Sequence, residues 1–503
     1  MKKTVVTTLV VAGTILGAFP ASAQYKAKDA PENAQNPEVQ AILNQAENAE
    51  SPVIITLEQA LEIALSENVS VKVADMEIER TGFAKKGTYA ALFPQIDASG
   101  AYQRTIKKQV MYMDFDMSSL GGAMGGGAGE GGETELPDGI EIPETDKETS
   151  NNGGGLEVGR WNTWSAGVTA AMPLVNAQLW KSITLSGLDV ELAVEKARSS
   201  RLETVTQVKN AYFATLLAKE AFDVYKDVYE NAVSNYEEAK KKFDAEKVSE
   251  MELLRAKTTV ANAIPNVYNA ESSIILSLWQ LKAVLGVDLD MNLDIAGKLS
   301  DYAQHMLYDI NQTDSVSLDR NTTMKQLAIQ SEMLAETIKL QKYANIPSLA
   351  LAFNFSMNAM TNDFNFSEYR WTPYSYVGLS LNIPIFAGGK RYQAIRQAKN
   401  QYQQVQLQTE NTERQLKIAI RQSLTTMETN MKSYYAAQDA VASAAKGYSI
   451  AEKAYQVGRS TLIELNDAQL ALTQAQLAES QAIYNFVVAK AQLEQTLGQD
   501  FIE

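Results

Sequence analysis

The chain writes one structural unit twice, and that repetition limits the folds open to it more than any other feature. Leu65, Asn68 and Lys72 recur as Leu318, Asn321 and Lys325, a spacing of 253 residues that holds from Pro94 to Pro347. The spacing drops to 211 at Pro173 and Pro384 and is 212 at Leu285-Gly286 and Leu497-Gly498. Both copies therefore run in the order helix, strand, strand, long helices. They differ chiefly by 42 extra residues between the two strands of the first copy.

Residues 1–23 read as a secretory signal: Lys2 and Lys3, an apolar run from Val5 to Phe19, then Ala21-Ser22-Ala23 as the cleavage site. Its removal takes the formal charge from −15 to −17. An acidic chain lacks the basic patch that nucleic acid requires, so no nucleic-acid partner is expected. With no cysteine and a single histidine, His305, neither a disulfide, a thiolate nucleophile nor a metal or cofactor site is expected, and no catalytic constellation emerges. Gly388-Gly389-Lys390-Arg391 lacks the spacing of a phosphate loop and reads as a strand-to-helix joint.

Four segments alternate with a period of two. Leu349, Leu351, Phe353, Phe355 and Met357 interleave with Ala350, Ala352, Asn354, Ser356 and Asn358, and Val377, Leu379, Leu381 and Ile383 interleave with Gly378, Ser380 and Asn382. Ile96, Ala98, Gly100 and Tyr102, then Val168, Ala170, Met172 and Leu174, repeat the phase more weakly. Each segment has about the nine to eleven residues that a tilted strand needs to cross a bilayer, although a soluble sheet with one buried face alternates in the same way. Tyr102, Trp161, Trp164, Phe366, Tyr369, Trp371, Tyr374 and Tyr376 gather at one end, as an interfacial girdle would. Four strands cannot close a barrel, and an open edge in lipid is costly, so strands in a membrane imply several chains pooling them.

The long helices exceed the width of a globule. Residues 178–244 carry no proline and a helical pattern, roughly 100 Å at 1.5 Å per residue. The last helix keeps a seven-residue seam through Leu465, Ala468, Leu472, Ala475, Ala482, Phe486, Ala489 and Leu493, interrupted by Glu479. Pro265, matched by Leu477 in the second copy, would kink the first hairpin alone. The expected organisation is a polar linker over 24–52, a first repeat over 53–288, an inter-repeat equatorial segment over 289–314 and a second repeat over 315–503. Strands are expected over about 95–105, 163–175, 347–358 and 375–386, with a glycine-rich acidic loop outside the membrane over about 113–157.

Four motifs in this order resemble the TolC family of outer-membrane efflux and secretion channels across essentially the whole mature chain. They are Leu57-Glu58-Gln59-Ala60-Leu61 with Asn68, Asn210-Ala211-Tyr212-Phe213, Ile383-Pro384-Ile385-Phe386-Ala387-Gly388-Gly389-Lys390-Arg391, and Tyr455-Gln456-Val457-Gly458 followed by Ile463-Glu464-Leu465-Asn466-Asp467-Ala468. The resemblance implies an α+β membrane protein. Its homotrimer would pool four strands per chain into a 12-stranded β-barrel in outer-membrane lipid, above a periplasmic α-barrel of coiled-coil hairpins. It implies a passive exit duct of a tripartite efflux or type I secretion system, served by a periplasmic adaptor protein and an inner-membrane pump of the RND or ABC type. The family's acidic constriction carries over to Glu464 and Asp467, with Glu252 at the matching turn and Arg255 and Arg459 as candidate ties. The chain departs from part of the family in having no lipidated cysteine and a large first loop. A trimeric, membrane-anchored structural or adhesive coiled coil is the other class in view. Against it, an adhesin would carry one long passenger rather than two equal repeats.

Overall fold

A computed structural model describes residues 52–111, 156–306 and 317–499. The expected signal, the linker and nearly all of the acidic loop lie outside the described residues. The described chain forms a helical unit, drawn from the region before residue 89 and from 180–343 and 386–499, and a strand unit over 89–179 and 344–385.

The helical unit begins with β1 (Val53–Ile55), α1 (Leu57–Glu67) and α2 (Val69–Ala90). Thr56 caps α1 in a reciprocal box with Gln59, as the motif Thr-x-x-Gln dictates. The first long hairpin is α3 (Ala177–Asp244) and α4 (Glu250–Leu285), followed by β6 (Leu293–Ile295) and a 3-10 turn over Leu299–His305. The second copy supplies α5 (Thr322–Tyr343), α6 (Lys390–Gln456) and α7 (Leu462–Leu497). The copies match closely in length: α3 and α6 have 68 and 67 residues, and α4 and α7 have 36 each. The helix α4 is assigned without a break through Pro265. No described helix is long and apolar enough to cross a membrane.

In each repeat the same junction locks the end of the hairpin against the start of a shorter helix. Asn68 and Asn321, both buried, donate from Nδ2 to the carbonyls of Val284 and Thr496 at 2.7 and 2.6 Å. Their Oδ1 atoms accept from Ser70 and Met324 N–H at 2.8 Å each, which caps α2 and α5. The hairpins end in glycine, Gly286 at φ +79° and Gly498 at φ +69°. There the N–H of Val287 and of Gln499 reaches back to Lys282 and Glu494 in the Schellman pattern. Glycine is required twice over at each site, because a Cβ would also stand 2.6 Å from the Glu67 carbonyl oxygen or 2.2 Å from that of Arg320.

The main core gathers around the first junction. Tyr212 on α3 donates to the Ala296 carbonyl at 2.6 Å, Lys219 pairs with Asp294 at 2.6 Å, and Glu220 accepts from Leu299 N–H at 2.9 Å. These contacts hold β1 and β6, a parallel pair, against α3. Farther along, the largely buried Glu336 of α5 is paired with Lys181 of α3 and, at 2.8 Å, with Lys339. Burial pushes this carboxyl up, but hydrogen bonds from the two lysines outweigh it and hold the group below the usual carboxylate value.

The strand unit is a four-stranded antiparallel sheet in the order β2 (Gln95–Arg104), β5 (Asn162–Val175), β7 (Ser348–Thr361), β8 (Thr372–Asn382). A small separate ladder pairs β3 (Gln109–Met111) with β4 (Leu156–Val158) at the base of the inserted loop. The last strand stops at Asn382, short of residue 386, because its partner begins at Ser348, directly opposite. Register places Ile96, Ala98 and Tyr102 opposite Ala170, Val168 and Trp164, and Phe353 and Leu351 opposite Val377 and Leu379, all on one apolar face. The other face carries Ser99, Thr169, Asn354, Ser356, Gly378 and Ser380. By the same parity Tyr374 and Tyr376 pair with Ser356 and Asn354 and stand on the polar face. Those two are not part of the girdle that proximity in sequence suggested.

Replacing Gly286 or Gly498 by alanine is expected to destabilise the detergent-extracted protein by roughly 2–4 kcal/mol, from the left-handed backbone and the overpacked junction together. Denaturant unfolding would measure it, with Gly447→Ala as the control: that glycine lies within α6 with nothing within 4 Å, and alanine there should be neutral or stabilising. Loss of stability no greater at the junctions than at Gly447 would refute the lock. The depressed Glu336 carboxyl contributes stability that is present above the ordinary carboxylate pKa near 4.5 and lost as pH falls through its lower folded value. The stability gap between parent and Glu336→Gln should therefore be full at pH 7 and close as the solution is acidified below about pH 4.

Candidate gate at the turns of the helical hairpins

The turns between α3 and α4 and between α6 and α7 are built alike, 212 residues apart. Ser249 and Thr461 cap the returning helices, accepting from the N–H of Glu252 at 3.4 Å and of Glu464 at 3.3 Å. The left-handed residue before each cap is Glu246 at φ +60° in the first turn and Gly458 at φ +74° in the second. Glutamate in that conformation costs about 1–2 kcal/mol that glycine does not.

Both turns meet in one buried cluster of Ala239, Ala256, Tyr455, Leu462 and Leu465. Alanine on α3 and α4 lets the tyrosine enter between the helices. Lys242 donates to the Tyr455 carbonyl at 2.6 Å, lies 4.1 Å from the centre of its ring and pairs with Glu238 at 2.9 Å. The Tyr455 hydroxyl is buried without a hydrogen bond of ordinary geometry, and the half-buried Glu252 carboxylate is the acid facing it. Burial and then that carboxylate push the phenol well above its usual value. A further tie joins Asn466 of α7 to Thr259 of α4 at 3.3 Å.

Each residue singled out by sequence lies in or beside this region, in different circumstances. Glu464 is exposed, but its Oε2 accepts from the Ser460 hydroxyl at 2.5 Å and the Thr461 N–H at 3.0 Å, closing a capping box. Those hydrogen bonds, the serine first, hold its carboxyl below the usual value. Asp467 is exposed one turn on. Arg255 stands at the position of the first copy that matches Asp467 in the second. Arg255 and Arg459 are exposed, and neither forms an ion pair among the described residues. Tyr455 was read in the sequence only as a motif residue and not as a buried one, and Lys242 and the box between Thr461 and Glu464 were missed, although Thr-x-x-Glu before a helix is itself a capping signature.

The chemistry available here is electrostatic. Exposed carboxylates at helix starts can hold cations or guanidinium groups, and no described cluster of acids and histidines is arranged to hold a metal ion.

Known proteins of this build are channels. The family model of outer membrane efflux proteins matches residues 60–287 and again 315–499. The outer membrane protein TolC of Vibrio cholerae is 21% identical over 342 residues, 66% of this chain and 76% of that protein. The alkaline protease secretion protein AprF of Pseudomonas aeruginosa is 19% identical over 348 residues, 69% of this chain and 72% of its own. Among solved structures, the CmeC outer membrane channel of Campylobacter jejuni superposes with a TM-score of 0.64 at 18% identity, covering 90% of this chain and 91% of that one. With both copies of its repeat matched, the chain belongs to the outer membrane efflux protein family and is an exit duct of the outer membrane that extends into the periplasm.

Proposed function

We propose that three copies assemble into one channel, that the hairpin turns form its resting gate, and that the gate opens when a periplasmic adaptor and an inner-membrane pump engage it. The observation that carries the assembly is the sheet: β2 and β8 are edge strands, and the apolar face is bare, with Val377, Leu379 and Leu381 each 60% or more exposed. In lipid every edge N–H and C=O must be paired, at several kcal/mol each. Joining β8 of one copy to β2 of the next, three times round, satisfies them in a 12-stranded barrel whose apolar face meets lipid. Pump and adaptor supply the energy and choose the cargo, so the duct itself is passive.

The two hairpins of each copy would then alternate around the tunnel, placing Arg255 and Asp467, which hold matching positions, alternately around one ring. Glu252 and Glu464, likewise matched, would form the ring one turn away. Two unit charges about 6 Å apart at an effective dielectric near 20 repel by roughly 3 kcal/mol. The acidic excess therefore favours closure only with cations or arginine ties, and Arg255 and Arg459 are the candidate ties. Met251 and Leu254, 63% and 54% exposed on α4 beside the turn, offer apolar purchase for an adaptor.

Chemical crosslinking of the detergent-extracted protein should trap trimers, and a folded monomer as the main species would sink the assembly. In planar bilayers, millimolar magnesium on the periplasmic side should lower the conductance. Glu464→Gln with Asp467→Asn should abolish that block and reduce cation selectivity. A double variant with the parent's block and selectivity would move the gate elsewhere.

A further inference from the structure

The polar face of the sheet carries mostly small side chains, with Gln95, Asp97 and Gln103 of β2 and Met360 of β7 as its longer ones. Ser99 and Ala101 of β2, Thr163, Ser165, Gly167 and Thr169 of β5, Ala352, Asn354 and Ser356 of β7, and Gly378 and Ser380 of β8 all share its parity. Tyr374 and Tyr376 break the pattern. They lie two residues apart on edge strand β8, so both rings project from this face, and their centroids are 5.8 Å apart at 47°. Nothing large covers them: their cross-strand neighbours are Ser356 and Asn354, and they remain 61% and 47% exposed. The Tyr376 ring leans over Gly378, where an added Cβ would meet it at 3.7 Å, so glycine leaves the room in which the ring rests. Among the described strand residues these two are the only aromatic side chains of this face, and they touch each other rather than a larger neighbour.

Resting on the trimeric reading above, we infer that Tyr374 and Tyr376 of three copies form an aromatic collar inside the barrel, which transiently holds planar organic cations on their way out. Twelve strands about 4.8 Å apart, tilted by about 40°, enclose a backbone diameter of roughly 24 Å, wide enough to stay open above small side chains and to be narrowed where six tyrosines reach inward. Ring faces attract cations through their quadrupole and stack on flat solutes. The chain's formal charge, −15 over the full sequence and −17 without residues 1–23, adds a negative potential that concentrates cations over anions. The same parity that removes these tyrosines from the lipid girdle gives them to the lumen. The collar belongs to the strand unit and is independent of the acidic turns, so the two constrictions can be altered separately.

Ethidium, a planar organic cation, is the probe, applied to the reconstituted full-length protein in planar bilayers, with anilinonaphthalene sulfonate as a planar anion for comparison. Ethidium should cause brief closures of the parent channel that the anion does not. Tyr374→Thr with Tyr376→Thr, which keeps strand-favouring side chains, should raise the half-blocking ethidium concentration by about 10-fold or more, whereas the double change to phenylalanine should stay within about 2-fold. The magnesium block at the turns should be unchanged in both. An unchanged ethidium block in the threonine variant, or equal block by the anion, would overturn the collar while leaving the duct intact. Failure of the parent to form any channel would overturn both readings. Should the double variant not assemble, each single Tyr→Thr is expected to shift the block by about 3-fold, and single variants at the parent value would overturn the proposal equally.

Discussion

Everything in the helical unit depends on a hydrogen bond made twice, from an asparagine amide to a carbonyl in the last turn of a hairpin. Asn68 and Asn321 each do two jobs, capping the helix that follows them and satisfying Val284 or Thr496 at the end of another. Helices that end near one another leave unpaired N–H and C=O groups on both sides, and a side chain with a donor and an acceptor can answer both at once. The close approach this requires excludes a Cβ at Gly286 and Gly498. The junctions fix the ends of α4 and α7, while α3, 68 residues long, is tied along its length by pairs such as Arg201 with Asp75 and Lys209 with Glu494. Glu252 and Glu464 occupy matched positions because the turns repeat with a spacing of 212 residues and carry the same cap.

The strand unit answers to the opposite constraint. Its four strands have a bare apolar face and two open edges, a combination unstable in water as a monomer and in lipid as an open sheet. The helical unit pairs most of its buried polar groups within one chain, with the Tyr455 hydroxyl among the exceptions, whereas β2 and β8 leave open edges. On the trimeric reading, a wall completed between copies encloses the lumen, and the polar face of the sheet lines it.

Much of this was legible in the sequence because two periodicities are strong. Alternation over Leu349–Met357 located β7, and absence of proline with a helical pattern located α3. What misled was neighbourhood used in place of parity: Tyr374 and Tyr376 sit among aromatic residues of the strand end, yet pairing with Ser356 and Asn354 turns them to the polar face. The far end of β8 was misjudged because a strand's limit is set by its partner, and Ser348 lies on another segment of chain. Glu464 was read only as an acid of the constriction, although three residues earlier Thr461 marks it as half of a capping box. The burial of Tyr455 beside Glu252 needed both hairpins at once, and no local pattern carries that information.

The two junctions, alike in their asparagine and glycine, differ in one respect. Arg198, on α3 of the first repeat, donates to the carbonyls of Arg320 at 3.1 Å and Gly498 at 2.8 Å, across the second junction. Asp75 and Arg201, Lys209 and Glu494 stitch the same stretch of α3 to helices of both copies. The junction of the second copy is thus completed by a side chain of the first. A duplicated chain wired in this way should open as a single cooperative unit, with amide protons at Gly498 and Asn321 exchanging no faster than those of α3. The repeat is legible in the sequence, and the ties of Arg198 and Lys209 bind its two halves together.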